Sequence, residues 1–424
     1  MPFLKVYDSA ILATSQAGVR RGAMAAYLPI RHKDIEEFLH IREPKGDINR
    51  QCLNLNHAVS IDDVFMEKLE EGDSYYRELW AKILKLRMET GQPYIMYYDT
   101  VNKGNPECYK QKGLKVNTSQ LCSEIVLYND PTHTFVCCLS SLNLAKYREW
   151  ENNPDFIKHC ILFLDCVMEE FIEGAKGTKG FENAVRFAQK SRALGLGVLG
   201  WHTLLQKENL PFISFAARGL INRIGKKLQS EVWEASRELT KTFDIPEWCI
   251  DNRHTHCTAI APTTTNSLIQ GGVSQGIEPI VSNYFVQKSA KGTFIRKNPQ
   301  FQKLIETKYP QHNTQEMWTT VRDAKGSVQH LQFLTDAEKE VFLTAYEINQ
   351  LELVKNVGVW QKYIDQAIST NLFFPADVPS KWVNQVHLEA WKQKLKTLYY
   401  IRTESIASRT MKSDTFSDCV YCEG

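Results

Sequence analysis

Apolar and polar residues recur along the chain with two different periods, one typical of strands and one typical of helices. Strand-like runs lie at residues 52–61, 93–99, 119–130 and 133–144. Helical spacing is found at 34–42, 61–91, 154–176, 182–193, 218–243 and 336–370, and a helix running into a strand is predicted over 386–402. Strands that alternate with helices are typical of the α/β class, which is the fold class that we predict.

The bulk composition is that of an ordinary globular protein of 424 residues, with 43% hydrophobic and 24% charged residues. This length suits one large α/β domain or two to three smaller ones. A net charge of +2 gives no electrostatic basis for binding nucleic acid or an anionic membrane. No stretch reads as a secretory signal or a membrane span, so we expect a cytoplasmic protein, in the host cytoplasm if its source is viral.

The cysteines are the first sign of chemistry. Eleven is an odd count over a long chain, which favours reduced thiols over a disulfide framework. Cys137 and Cys138 are neighbours in "HTFVCCLSSLNL". Neighbours on a strand point to opposite faces, so these two thiols are poorly placed to bond to each other. If one of them reacts, its partner lies elsewhere.

The run "SQLCSEI" places Gln120, Cys122 and Glu124 on one face of a predicted strand. A thiol between an amide and a carboxylate suits a site where sulfur reacts, a carboxylate moves a proton and an amide holds a hydroxyl. The alternative is a half-buried strand with an inert core cysteine, since cysteine is among the most buried residue types. Periodicity does not separate the two interpretations.

The C-terminal "CVYC", Cys419 and Cys422, has the spacing of a redox dithiol. Half of a zinc site and an incidental pair are the alternatives, although the chain has no second C-x-x-C. The residues after Tyr400 are polar and aperiodic, which predicts a mobile tail. About 20 extended residues would reach roughly 65 Å, far enough to carry reducing equivalents from the surface into a buried site.

Two further motifs have both a structural and a chemical interpretation. Tyr399 and Tyr400, in "LKTLYYIR", are either ordinary sheet aromatics or a redox relay. The stretch "APTTTNSLIQGG" is typical of a helix N-terminus, which serves either for capping alone or for binding phosphate. Its polar cluster comprises Pro262, Thr263, Thr264, Thr265, Asn266 and Ser267.

The glycines of "GLGVLG" match a dinucleotide-binding pattern, but their context does not. A helix precedes them where a strand is needed, and residues 218–222 contain no acidic side chain. We therefore interpret Gly195, Gly197 and Gly200 as positions of close packing or turning.

Taken together, the motifs resemble those of the large subunit of class I ribonucleotide reductases, in the same order and from about residue 10 to the end. The matching stretches are "SQLCSEI", "FVCCLSSLNL", "RALGLGVLG", "PTTTNS" with "GIEP", "KTLYY" and "CVYC". The opening "SQAGVRRGA" resembles the family's loop between specificity effector and substrate, which would give Ser15, Gln16 and Arg20 that role. The chain is similar in character to versions carried by large tailed bacteriophages.

The resemblance implies the C-terminal part of a ten-stranded α/β barrel over residues 1–400, with a finger loop and a mobile redox tail over 401–424. Cys122 would be the thiyl radical that abstracts hydrogen from C3′ of the ribose, and Glu124 would take the 3′-hydroxyl proton. Gln120 stands where the family usually has asparagine, so its hydrogen bond to a sugar hydroxyl requires the loop to adjust. Cys137 would be one of two cysteines that reduce the 2′ position.

The remaining implied roles involve other molecules. Tyr399 and Tyr400 would relay the radical from a small subunit that holds a di-iron tyrosyl radical. The substrate diphosphate would lie at residues 262–267. Cys419 and Cys422 would reduce the active-site disulfide and be regenerated by thioredoxin or glutaredoxin. ATP and deoxynucleoside triphosphates would act as effectors, and no cofactor or metal is expected in this chain.

The second reducing cysteine of the family lies upstream of the effector loop, where this sequence begins. Our main hypothesis is therefore a split large subunit that associates with an N-terminal large-subunit fragment on a separate chain. Cys52 is the one candidate within this sequence as the partner of Cys137. The alternative functions are an inactive remnant, a regulatory binding module, or a B12-dependent reductase. A B12-dependent reductase needs no small subunit, whereas the tyrosine pair favours the class that depends on one.

Overall fold

The computed structural model describes residues 1–14, 22–44, 46–289 and 292–404. The predictions for Ser15, Gln16, Arg20, Cys419 and Cys422 lie outside the described residues. Within this part of the chain, every helix is too short or too polar to span a lipid bilayer.

Ten strands are found in the described residues. They are β1 Ala25–Pro29, β2 Asn56–Ile61, β3 Tyr94–Tyr97, β4 Cys138–Asn143, β5 Leu194–Leu199, β6 Tyr284–Ser289, β7 Gly292–Lys297, β8 Leu372–Phe374, β9 Thr397–Leu398 and β10 Ile401–Thr403. The largest sheet has the order β1-β2-β3-β9, in which the first three strands are parallel and β9 is antiparallel to β3. Further pairs are β4 with β5 and β8 with β10, both parallel, and the antiparallel hairpin of β6 and β7.

Seventeen α-helices connect these strands within the described residues. They are α1 Leu4–Ala13, α2 Ile35–Leu39, α3 Asp63–Glu71, α4 Ser74–Thr90, α5 Tyr98–Lys103, α6 Glu107–Lys112, α7 Tyr147–Trp150, α8 Phe156–Ala175, α9 Glu182–Ser191, α10 Trp201–Lys207, α11 Phe215–Leu239, α12 Thr264–Ile269, α13 Pro299–Lys308, α14 Gln315–Asp323, α15 Asp336–Val341, α16 Gln350–Gln361 and α17 Ser380–Lys392. The predicted α/β class is confirmed, because helices follow most of the parallel strands.

Local sequence explains where the predicted helix over 61–91 divides into α3 and α4. Asp62 caps the first by accepting the Phe65 N–H at 2.8 Å, and Gly72 ends it in the left-handed region at φ 97°. Asp73 then caps α4, which ends at Gly91 with φ 79°. Glycine adopts such positive φ angles without steric cost, so the predicted stop at Gly91 is confirmed.

One predicted helix is wrong in part. The helix expected over 336–370 is interrupted, because α15 ends at Val341 and α16 begins only at Gln350. Residues 365–371, which we call the bridging segment, follow as extended chain whose Ile368 pairs in parallel with Ile260. The apolar residues of this stretch are buried against neighbouring strands and loops, and such burial gives no helical period.

The glycines of β5 are packing positions, as predicted. A Cβ on Gly197 would overlap the carbonyl oxygen of Ala259, and one on Gly195 would lie 3.2 Å from the sulfur of Cys137. Gly200 adopts φ 78° at the start of α10. The strand is fully buried, so the chain that runs past it through Ala259 approaches closely only where side chains are absent.

A buried ionic cluster joins α8 to the loops around it. The carboxylate of Asp165 accepts hydrogen bonds from Arg192 at 2.7 Å and from Arg253 at 2.8 Å, and it lies 3.0 Å from His254 Nε2. These bonds hold the pKa of Asp165 below its usual value despite burial, which acts in the opposite direction. The cluster is a fixed support behind β4 and β5, since the side chain of Asp165 is only 5% exposed.

Candidate active site

The stretch "SQLCSEI" forms a tight loop, so its prediction as a strand is wrong. Gln120 N donates to Ile125 O at 3.3 Å, and the Ser119 hydroxyl donates to the same oxygen at 2.7 Å. Ser123 N donates to Gln120 O at 3.2 Å, and Ser123 adopts φ 70°. These bonds close a small finger that presents Cys122 at its tip. The alternating sequence suggested a strand, but the backbone of this stretch turns back on itself at Ser123.

The loop nevertheless brings its three predicted site residues together. Gln120 Nε2 donates a hydrogen bond to Glu124 Oε2. Burial raises the pKa of the Glu124 carboxyl above its usual value, whereas the bonds from Gln120 and Ser369 act to lower it. A carboxyl with a raised pKa is suited to exchanging a proton near neutral pH. The additional methylene of Gln120 is accommodated, since its amide reaches the carboxylate.

Cys122 contacts the predicted tyrosine pair directly. The hydroxyl of Tyr399 lies 3.7 Å from Cys122 Sγ, and the rings of Tyr399 and Tyr400 are 4.2 Å apart between centroids. Burial and the nearby Glu124 raise the pKa of the Cys122 thiol to about 12, so the sulfur stays protonated at neutral pH. A thiol that keeps its hydrogen beside a phenol is arranged for hydrogen-atom exchange rather than for nucleophilic attack.

A third tyrosine and a buried arginine hold this pair, and sequence reasoning missed both. The Tyr94 ring packs 4.8 Å from the Tyr399 ring and 5.0 Å from the Tyr400 ring. Arg87 is fully buried and donates to the carbonyls of Pro93 and, at 3.1 Å, Tyr399. Tyr94 stands in an apolar strand and Arg87 in a helix of ordinary amphipathic spacing, so no local signal distinguished either of them.

Cys137 and Cys138 lie on opposite sides of the chain, as the strand argument predicted. Cys138 begins β4 and packs against the large core that contains Leu142 and Leu194. Cys137 packs with a separate apolar cluster. Its sulfur accepts a hydrogen bond from Gln366 Nε2 at 3.3 Å. Cys52 is buried in the first of these cores, so the two clusters separate it from Cys137.

The bridging segment connects these groups, and its side chains were also missed. Its Ser369 hydroxyl lies 2.6 Å from Cys122 O and 3.0 Å from Glu124 Oε2. Thr370 O accepts Tyr399 N at 2.8 Å, and Asn371 Oδ1 accepts Tyr400 N at 3.1 Å. The available signal was a run of polar residues, "DQAISTN", between apolar stretches. Such a run is expected at a loop, whereas here most of it is buried.

The threonine-rich motif begins α12 a few residues after the pairing of Ile260 with the bridging segment. Thr263 adopts φ 56° and accepts the Gly276 N–H on its hydroxyl at 2.9 Å. It does not cap α12 with its side chain. Capping by side chain therefore does not explain the first threonine, and the first-turn N–H groups of α12 are available by position.

The described residues contain no group of three or more histidine, cysteine, aspartate or glutamate side chains suited to a metal ion. The redox tail and the effector-loop residues lie outside this part of the chain. The site therefore consists of the finger loop, the tyrosine pair, Cys137 and the bridging segment.

These features define a candidate oxidoreductase site, with a protonated thiol between a tyrosine pair and a buried carboxyl. The chain matches the family model described as "Ribonucleotide reductase, barrel domain" over residues 1–76, 75–248 and 251–401. It therefore belongs to the ribonucleotide reductase family.

Its relatives are large or alpha subunits of ribonucleoside-diphosphate reductase. The large subunit of invertebrate iridescent virus 3 is 35% identical, with 100% of this chain and 80% of that protein covered. The putative large subunit of frog virus 3 is 36% identical, with 100% and 79% covered. The structure of the Actinobacillus ureae class Id ribonucleotide reductase alpha subunit matches with a TM-score of 0.84 at 41% identity, covering 90% of this chain and 70% of that chain. The predicted family, enzyme class and barrel fold are confirmed, whereas the similarity to phage versions stays a prediction.

Proposed function

We propose that this chain reduces ribonucleoside diphosphates together with a radical-bearing small subunit. The observation that supports this most directly is the contact of the Tyr399 hydroxyl with Cys122 Sγ, with the tilted ring of Tyr400 packed against that of Tyr399. The path from Tyr400 to Tyr399 to Cys122 is short enough for each step to be a transfer between neighbouring side chains. In this proposal the oxidising equivalent comes from the di-iron tyrosyl radical of the small subunit.

The proposed reaction gives each residue of the site a defined step. Tyr399, first oxidised to its phenoxyl radical by way of Tyr400, takes the hydrogen of the Cys122 thiol, and the resulting thiyl radical takes the hydrogen from C3′ of the ribose. Glu124 accepts the proton of the 3′-hydroxyl, and the 2′-hydroxyl leaves as water. Cys137 and a second thiol supply two electrons and two protons and become a disulfide. Cys122 then returns its hydrogen to C3′ and Glu124 returns its proton to the 3′-oxygen, which regenerates the thiyl radical and the carboxylate.

The second thiol is proposed to come from a separate large-subunit polypeptide. Two observations support this. Cys138 and Cys52 pack in a core cluster other than that of Cys137, and Cys108, which shares the cluster of Cys137, has its Sγ 4.0 Å from Thr255 O. In the described ladders β1 pairs with β2 alone, so its other edge is available for a strand from the partner.

The remaining steps need partners that act on other parts of the chain. The first turn of α12 would bind the substrate diphosphate through its N–H groups and hydroxyls, because Thr263 is bound elsewhere and does not cap the helix. Cys419 and Cys422 would return electrons to the disulfide, with thioredoxin or glutaredoxin as the final donor. ATP and deoxynucleoside triphosphates would act through Gln16 and Arg20.

The test is reconstitution of this chain with a small subunit, with and without a candidate upstream polypeptide, followed by chromatography of deoxynucleoside diphosphates. We expect turnover only when all three are present. Cys122→Ser and Tyr399→Phe should abolish it, whereas Cys138→Ser should retain it. Full turnover without the upstream polypeptide would contradict the second-chain proposal. Turnover that requires adenosylcobalamin and no small subunit would favour the B12-dependent alternative, and no turnover in any combination would favour a remnant or binding module.

A further inference from the structure

Gln366 is a fully buried amide that touches the thiol of Cys137. Its Nε2 lies 3.3 Å from Cys137 Sγ and 2.9 Å from the carbonyl oxygen of Leu194. Its Oε1 accepts the N–H of Val126 at 3.2 Å. Buried polar atoms almost always have hydrogen-bond partners. In Gln366 the sulfur of Cys137 is the partner of the second amide N–H.

The neighbours of this side chain determine which way the amide faces. The backbone N–H of Val126 requires an acceptor, and the carbonyl of Leu194 requires a donor. A rotated amide would place like groups against each other at both positions. One N–H of Gln366 therefore points to Leu194 O, and the other is directed at Cys137 Sγ.

The backbone of Gln366 is fixed as firmly as its side chain. The preceding Asp365 carboxylate accepts the N–H groups of Cys257 at 2.8 Å and Thr258 at 3.0 Å. Gln366 N donates to Thr258 O at 3.1 Å, and Gln366 O accepts from Gln361 Nε2 at 3.0 Å. A side chain anchored in this way costs little entropy to hold in place, which is the requirement for a group that orients another.

We infer that Gln366 is a positioning residue that orients the Cys137 thiol and stabilises negative charge on its sulfur through an N–H···S hydrogen bond. This inference rests on the role proposed above for Cys137 as a reducing thiol. Burial raises the pKa of Cys137, and the bond from Gln366 acts in the opposite direction. The amide therefore offsets part of the desolvation that makes this sulfur a poor thiolate. Thiol–disulfide chemistry proceeds through thiolate, so the bond favours the step in which Cys137 gives up electrons.

The test measures the thiol itself and needs no nucleotide or small subunit. The full chain is treated with iodoacetamide at several pH values between 7 and 9, and modification of Cys137 and Cys138 is followed by peptide mass spectrometry. Both thiols are partly exposed, so Cys138 serves as an internal reference. In Gln366→Met, which removes the donor, we expect modification of Cys137 to be about tenfold slower. Loss of a hydrogen bond to a charged group of about 1.4 kcal/mol corresponds to that factor.

Two more variants make the test decisive. Gln366→Glu keeps the acceptor for Val126 N–H but replaces the donor, and we expect an even slower reaction of Cys137. Gln350→Met is the matched control, because Gln350 is also buried, donates to the carbonyls of Ala345 and Ile348, and accepts Phe373 N. It should leave the ratio of the two cysteine rates unchanged.

Three results would overturn the inference. The first is a rate for Cys137 within twofold of that of the original chain in a folded Gln366→Met or Gln366→Glu protein. The second is an equal slowing of Cys137 and Cys138, or an equal effect of Gln350→Met. The third is failure of both Gln366 variants to fold while Gln350→Met folds, which would make Gln366 a structural residue. A tenfold effect on alkylation without nucleotide reduction in the reconstituted complex would instead contradict the proposed function and leave the positioning role intact.

Discussion

Replacing Ser369 by alanine removes one hydroxyl that serves two acceptors. The single proton of that hydroxyl is shared between Cys122 O at 2.6 Å and Glu124 Oε2 at 3.0 Å. Ser369 is only 3% exposed, so water does not readily replace it. Leaving buried acceptors without their donor costs about 1–3 kcal/mol, and we expect a loss of that size in the free energy of unfolding.

The same change has a consequence for catalysis. The bond from Ser369 lowers the pKa of Glu124, so its loss raises that pKa further. Because the proposed base must be ionised, the acid limb of the pH profile of kcat should move to higher pH in Ser369→Ala. Loosening of the finger loop at Cys122 adds a reduction of kcat at the pH optimum, which we expect to be about 10- to 100-fold.

The assay is nucleotide reduction by the reconstituted complex over a range of pH, with thermal unfolding of the chain measured in parallel. Thr397→Val is the matched control, because the buried Thr397 hydroxyl donates to Ile368 O at 3.2 Å and touches neither Cys122 nor Glu124. It should lower stability without moving the acid limb. If Ser369→Ala moves the limb no more than this control does, the reasoning about Glu124 is refuted.

Other changes test the packing and the charges. Gly197→Ala forces a Cβ into the carbonyl of Ala259 and should lower the free energy of unfolding by about 1–3 kcal/mol, measured by heat or denaturant. Gly174→Ala, on the open surface of a helix, should raise it by about 0.5–1 kcal/mol. Equal effects of the two changes would contradict the close-packing argument. Glu124→Gln should abolish turnover yet raise the free energy of unfolding. The reason is that a carboxyl whose pKa is higher in the folded than in the unfolded state destabilises the fold as the pH rises through the folded pKa. Urea unfolding should therefore show the gain at pH 8 and none at pH 4. Asp165→Ala should cost about 3–5 kcal/mol, since it leaves Arg253 buried without a carboxylate partner and Arg192 with Glu169 alone. A change below about 1 kcal/mol in denaturant unfolding would argue against that cluster as a support.

Sequence periodicity predicted the elements whose stability is local. Helices such as α4 and α8 and strands such as β2 and β3 lie where the apolar spacing placed them. The finger loop was wrongly predicted as a strand because alternating apolar and polar residues indicate only which side chains are buried. A turn can produce the same pattern of burial as a strand. Its bend depends on the positive φ of Ser123, which no serine requires by its side-chain chemistry.

The candidate site was predictable as far as single motifs reached. Cys122, Glu124 and Tyr399 were identified one by one, but their convergence joins residues separated by more than 270 positions in the chain. Gln366 and Ser369 carry no motif, and their importance lies entirely in what they touch. A buried polar side chain is informative only after its partner is known, so these residues required the structure.

The bridging segment holds three separate groups of the site in place. Through Gln366, Ser369 and Asn371 it contacts the thiol of Cys137, the carboxyl of the finger loop and the backbone of the tyrosine pair. A local opening of this segment would release all three at once. An oxidised tyrosine would then lose its alignment with Cys122 at the same moment as the reductant lost its own. In the proposed reaction this coupling would act as an interlock, because the radical would be passed on only when the reducing thiol is also in place.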